Sequence, residues 1–161
     1  MSMVLYLKAV EAKQPEQYRA EINDVSRFMF SDVGADALVD FDVEWMAMNY
    51  VIEQAEGLKK LTRMILFGEG ATALSEDLGY GPAYYVGPTH VAQFARKLHN
   101  VSQDQLREHF DPADMIENYV GFYFTGNTEE DWQSLSRRLA LLRTFTEKCA
   151  SKQQAIIGAV A

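Results

Sequence analysis

The chain has 161 residues, 48% of them hydrophobic and 24% charged, and 15 Lys plus Arg against 23 Asp plus Glu leave a net charge of −8. That length and balance describe one globular domain with a full-sized core, and aromatics at 12% exclude a disordered chain. So negative a field repels a phosphate backbone, which excludes nucleic acid as a partner and leaves a basic protein as the complementary one.

Met3 to Val10 opens the chain as a strand, because the run is short, apolar and nearly continuous, as in a strand covered on both faces. Pro15 to Phe30 reads as one helix: Pro15 suits a first turn, and Tyr18, Ile22, Val25, Phe28 and Met29 return every three or four residues. Ser31 to Ala37 is a loop around Gly34. A second helix runs from Asp40-Phe41-Asp42 to about Ala55, capped by Asp40 or Asp42 and stopped by Gly57. It is apolar nearly all round, with Phe41, Trp45, Met48 and Ile52 on one stripe and Met46, Ala47, Tyr50 and Val51 on another, so it belongs at the centre of the fold.

Leu61 to Phe67 suits either a strand or the end of a helix. Gly68 to Gly81 carries four of the chain's ten glycines and is turn-rich. Ala83 to Val86 is a strand, and Gly87-Pro88 starts a helix through Leu98. Ser102 to Gln105 has the capping-box form, and Asp111-Pro112 is a cap followed by a first-turn proline. Tyr119 to Phe124 is aromatic enough for a strand. Asn127 or Thr128 caps a last long helix, whose core stripe is Trp132, Leu135, Leu139, Leu142 and Phe145. Glu129, Glu130 and Asp131 at its start and Arg143, Lys148 and Lys152 towards its end match the helix dipole. Gln154 to Val160 closes the chain as a terminal strand.

These elements predict an α+β fold over residues 1–161 as a single domain. A small mixed or antiparallel sheet, sharing the N- and C-terminal strands, packs against several helices. The apolar terminal strands could also pair across a two-fold axis, which would make the protein a homodimer. No basic, apolar and small-residue leader and no 18-residue apolar run is visible, so the expected compartment is the cytoplasm and no membrane is expected.

Val39-Asp40-Phe41-Asp42-Val43-Glu44-Trp45-Met46-Ala47-Met48-Asn49-Tyr50-Val51-Ile52 and Leu78-Gly79-Tyr80-Gly81-Pro82-Ala83-Tyr84-Tyr85-Val86-Gly87-Pro88 resemble two segments of the YfbM-like bacterial proteins, a family of unknown function. Phe110-Asp111-Pro112, Met115 and Tyr119 continue the similarity in order. The resemblance implies a fold and no mechanism. Relatives often carry histidines beside and after the helix tryptophan and a proline after the tyrosine matched by Tyr119; here Met46, Asn49 and Val120 stand there, so a histidine-based site is not carried over.

No catalytic set assembles from spacing. His90, His99 and His109 lack the i, i+4 spacing of a zinc site, and Cys149 is the only cysteine, so no metal or other cofactor is expected. Cys149 lies late in a helix with no histidine beside it and reads as inert. Gly68-Glu69-Gly70-Ala71 fits neither a dinucleotide fingerprint nor a phosphate loop. Asp40, Asp42 and Glu44 suit helix capping better than acid–base work. What remains is aromatic. A binding groove is expected between the Trp45 helix and the turn presenting Tyr80, with Trp45, Asn49, Tyr80, Tyr84 and Asp42 as its residues and Asn49 as the polar anchor. The leading functional expectation is a non-enzymatic protein-interaction module of the bacterial cytosol, for example an immunity-type protein binding a basic partner. The alternative is a small-molecule-binding or hydrolytic enzyme using carboxylates and tyrosines near the Trp45 helix.

Overall fold

The computed structural model describes residues 3–31, 37–55, 70–77 and 80–161. The expectations for Gly34, Gly57, Leu61 to Phe67, Gly68 and Gly79 fall outside these residues. Five strands form one sheet: β1 (Leu5–Val10), β2 (Leu38–Asp40), β3 (Ala71–Ala73), β4 (Tyr84–Val86) and β5 (Ala155–Val160). Their order is β2-β1-β5-β4-β3, and every pairing is antiparallel. The two terminal strands are neighbours at the middle of the sheet, with Leu5 opposite Val160 and Val10 opposite Ala155. The sheet edges are therefore β2 and β3, and strand pairing with a second copy would have to use one of them.

Side chains alternate across the sheet as a pleat requires. Leu5, Leu7, Val86, Ile156 and Val160 face one core, and Val10, Tyr85, Ala155, Ile157 and Ala159 face the other. Every residue of β5 is buried, which explains why it reads as a continuous apolar run although the sheet is antiparallel. Gly158 is the exception to that run for a steric reason. It lies opposite Leu7, and a Cβ there would come within 2.9 Å of Leu7 Cδ2.

Helices cover both faces. α1 (Pro15–Glu21) and α2 (Val25–Met29) supply Tyr18 and Met29 to the second core. The expected single helix over 15–30 is thus two. Asn23-Asp24 interrupts it: the Asp24 side chain accepts the Arg27 amide at 3.0 Å and starts a new helix, and such short polar residues favour caps over helix interiors. A 3₁₀ turn (Asp42–Glu44) leads into α3 (Trp45–Gln54), which buries Ala47, Met48, Val51 and Ile52 in the first core, as its composition required. α4 (Pro88–His99), α5 (Gln103–Arg107), α6 (Pro112–Glu117) and α7 (Thr128–Ser151) complete that layer. Their starts are those read from sequence: the Ser102 capping box, Asp111 accepting the Asp114 amide, and Asn127 accepting the Glu129 and Glu130 amides.

Tyr119 to Phe124 is not a strand. The carbonyl of Met115 accepts the amides of Val120 at 2.9 Å and Gly121 at 3.1 Å, and that of Ile116 accepts the Tyr119 amide at 3.1 Å. This is a Schellman closure of α6, and it consumes the amides a strand would need. Its left-handed position holds Tyr119 (φ 59°) where a glycine is usual.

Candidate functional site

Five residues were expected at a groove between the Trp45 helix and the Tyr80 turn, and the structure separates them. Trp45 and Tyr80 line one cavity of about 260 Å³ together with Met3 and Val160. Trp45 is held there by its indole N–H, which donates to the Met3 carbonyl at 3.0 Å. Tyr80 is presented by a turn in which the Gly81 amide donates to Asp77 Oδ1 at 2.9 Å, with Gly81 at φ 103°, a conformation that favours glycine. The other residues expected at the groove do not line this cavity. Asn49 lies one helical turn beyond Trp45 and is half-buried. Tyr84 sits in β4 opposite Gly158. Asp42 is exposed on the 3₁₀ turn, 3.9 Å from Arg138 of α7.

A second cavity, of about 590 Å³, lies on the opposite face of the same strand end. Tyr6, Met29, Phe30, Leu74 and Ala159 line it, and Val160 borders both cavities. Tyr6 and Phe30 meet edge to face with ring centroids 4.8 Å apart.

The carboxylates near α3 are tied up in structure. Asp40 accepts the Asp42 amide at 2.6 Å, and Asp42 accepts the Val43 amide at 2.8 Å. Glu44 is buried; Ser134 Oγ donates to it at 2.5 Å and Arg138 Nε at 2.6 Å, which ties the start of α3 to α7. Beside them the Tyr123 hydroxyl has no hydrogen-bond partner among the described residues. Burial first, then the negative charges of Glu44, Asp131 and Asp42, push its pKa up. Asp42, Glu44 and Tyr80 do not share a cleft: Glu44 borders a separate cavity with Ser134, Arg137, Arg138 and Leu141.

The histidines are dispersed. His99 Nδ1 lies 2.8 Å from Glu147 Oε1, and the His90 ring sits close against Gly70. Among the described residues no group of three His, Cys, Asp or Glu side chains could hold a metal ion. Cys149 is buried, and burial pushes its thiol up to about 11, so it is not a thiolate near neutral pH.

One stretch of the chain stands out that the sequence reading did not single out, although its Asp131 is buried. Between residues 104 and 131 the chain carries eight carboxylates and one arginine, so seven of its eight excess negative charges lie in that stretch. The same stretch exposes Ile116 (52%), Tyr119 (83%) and Phe122 (59%), three of the six large hydrophobic side chains exposed among the described residues. Its one arginine, Arg107, is paired with Glu129. The signal was a count of charges along the chain; reading Tyr119 to Phe124 as a strand concealed it, because a strand would have buried alternate rings.

A family model described as a domain of unknown function (DUF1877) matches residues 1–158, and the chain belongs to that family. No curated protein matches it. Among solved structures, one described as a protein of unknown function, YfbM from Escherichia coli, aligns with a TM-score of 0.70 at 14% identity, covering 99% of this chain and 100% of that one. At that identity the likeness is one of fold, and it agrees with the resemblance carried by the 39–52 and 78–88 segments. Among the described residues no helix is long and apolar enough to cross a membrane.

Proposed function

We propose that this DUF1877 member is a protein-interaction module without catalytic activity, and that it docks a basic partner, as an immunity-type protein would, through the face formed by α5, α6 and the turn after them. The observation that carries this reading is the coincidence of charge and apolar exposure. Nearly all the excess negative charge lies in the stretch that also leaves Ile116, Tyr119 and Phe122 in solvent. Exposed apolar side chains within a carboxylate-rich stretch suit recognition: the rings supply buried area on docking, and the charges supply sign selectivity and steering. Tyr119 adds a further mark, since a tyrosine held at φ 59° is a local cost that the fold alone does not require.

The test is recovery of a partner from the native cell with wild-type and charge-reversed bait. Wild-type protein should retain a basic protein at low salt and release it at high salt. The Asp111→Lys/Glu117→Lys variant should retain none. Equal recovery on both baits, or no partner at either salt, would count against the proposal. A small-molecule reading stands second, supported by Trp45 and Tyr80 meeting at one cavity. The dispersal of Asp42, Glu44 and Tyr80 removes the acid–base set that an enzymatic version of it needs.

A further inference from the structure

A further cavity, of about 280 Å³, opens between the β1–β2 edge of the sheet and the last turns of α7. Its floor is apolar: Ala9 and Val39 come from the sheet, and the buried Phe145 and Cys149 come from the helix. Two exposed lysines, Lys148 and Lys152, stand at its rim. They are one helical turn apart and so share a side of α7. Burial raises the pKa of the Cys149 thiol, and the charges of Lys148 and Lys152 act against that rise, so both are felt at the floor. Among the described residues no carboxylate pairs with either lysine. No Asp or Glu lines the cavity.

The dipole of α7 explains cations near its C-terminus. It does not explain why they stand over an apolar cavity. The last carbonyls of the helix are also already used: Lys148 accepts the Lys152 amide at 3.2 Å, Ala150 the Gln153 amide at 3.1 Å, and Cys149 the Gln154 amide at 2.9 Å. The helix end therefore presents few bare carbonyls to repel an anion. The whole chain carries a net charge of −8, so a lining of two cations and no anion is a local reversal of sign. We propose that this cavity binds a small amphiphilic anion, an acid group at the end of a short apolar chain, of which a medium-chain carboxylate is the simplest. The chain lies over Ala9, Val39, Phe145 and Cys149, and the carboxylate sits between the two ammonium groups. Lysine suits this role, since its compact charge selects sign without dictating headgroup geometry. The cavity lies just below the range of about 300–1,000 Å³ usual for ligand pockets, which limits the occupant to one short chain or one ring. The site shares no residue with the acidic face, so neither reading depends on the other.

Titrations followed by NMR on uniformly labelled, full-length protein test this, with octanoate as the probe and octylamine and octanol as controls of equal chain length. Millimolar octanoate should shift the amides of Val39, Phe145 and Cys149 saturably, and should bind less tightly at high salt. Octylamine and octanol should bind at least about tenfold more weakly, octylamine because the lysines repel it. This ligand series needs no substitution. Each exposed ion pair contributes a factor of up to about five, so the Lys148→Gln/Lys152→Gln variant should bind octanoate about tenfold more weakly. Octylamine or octanol binding as tightly as octanoate would overturn the proposal. So would an unchanged octanoate affinity in the variant, or millimolar octanoate that leaves Phe145 and Cys149 unshifted.

Discussion

Replacing Tyr119 by glycine should stabilise the protein while weakening its capture of a basic partner. Tyr119 occupies the left-handed position that closes α6, at φ 59°. A residue bearing a Cβ there costs about 1–2 kcal/mol relative to the right-handed region. Glycine removes that cost but gives back about 0.5–1 kcal/mol through the greater freedom of the unfolded chain. The side chain is 83% exposed, so little packing is lost with it. The net expectation is a gain of about 0.5–1 kcal/mol, or roughly 1–4 °C in Tm for a domain of this size. Tyr119→Ala is the control, because it deletes the ring and keeps the strain, and its Tm should stay close to wild type. Scanning calorimetry on the three proteins gives the comparison. If Tyr119→Gly melts below Tyr119→Ala, the backbone is not strained at this position and the argument from its conformation is wrong. Both variants should lose retention of the partner proposed above, so stability and binding move in opposite directions for glycine.

The turn beyond Tyr119 offers a second test. A Cβ on Gly121 would lie 2.6 Å from Phe124 Cε2 and 3.3 Å from Ile116 Cγ1, and Phe124 is itself packed against Phe110 and Tyr123. Gly121→Ala should therefore cost about 1–3 kcal/mol by overpacking, and much of that should return in the double variant with Phe124→Leu; a Gly121→Ala protein with wild-type Tm would show that the ring yields freely. The alkaline limb of stability should report Tyr18, whose hydroxyl donates to the Glu11 carbonyl at 2.6 Å. Burial first, then Tyr85, Glu11 and Glu21, push it from its ordinary 10.0 up to about 12. A raised folded pKa means that its stabilising contribution is complete below about pH 10 and is lost as the pH rises to about 12. The urea midpoint of the wild type should accordingly fall more steeply between pH 9.5 and 11.5 than that of Tyr18→Phe, and parallel curves would rule Tyr18 out as a source of the decline.

Much of the local structure was legible in the chain because it is decided within a few residues. Ser102, Asp111 and Asn127 each satisfy amides two or three residues on, so the starts of α5, α6 and α7 needed no tertiary information. The central placement of β1 and β5 followed from apolar runs that water would not tolerate. Trp45 and Tyr80, 35 positions apart, line one cavity, whereas Asn49, Tyr84 and Asp42 do not join them there. Elements failed where a strong pattern met a local competitor. The 15–30 periodicity was helical throughout, yet the Asp24 side chain took the Arg27 amide. The aromatic run after Tyr119 suited a strand, yet helix closure had already taken its amides.

Composition and short-range spacing thus determined the α+β class, the caps of α5, α6 and α7, the core stripes and the acidic excess, while the Asp40 or Asp42 cap expected for α3 is not made, since the helix starts at Trp45 after a 3₁₀ turn. Tertiary structure decided two things that no window of sequence contains. It placed Arg138 on Glu44, 94 positions away, so that a carboxylate resembling a candidate acid–base group became a buried strut between α3 and α7. It left the rings of Tyr119 and Phe122 outside the core, so that part of an aromatic run is exposed within the carboxylate-rich stretch. The strut belongs to a pair of distant residues, and its energy comes from desolvation and from the charged hydrogen bond made between them.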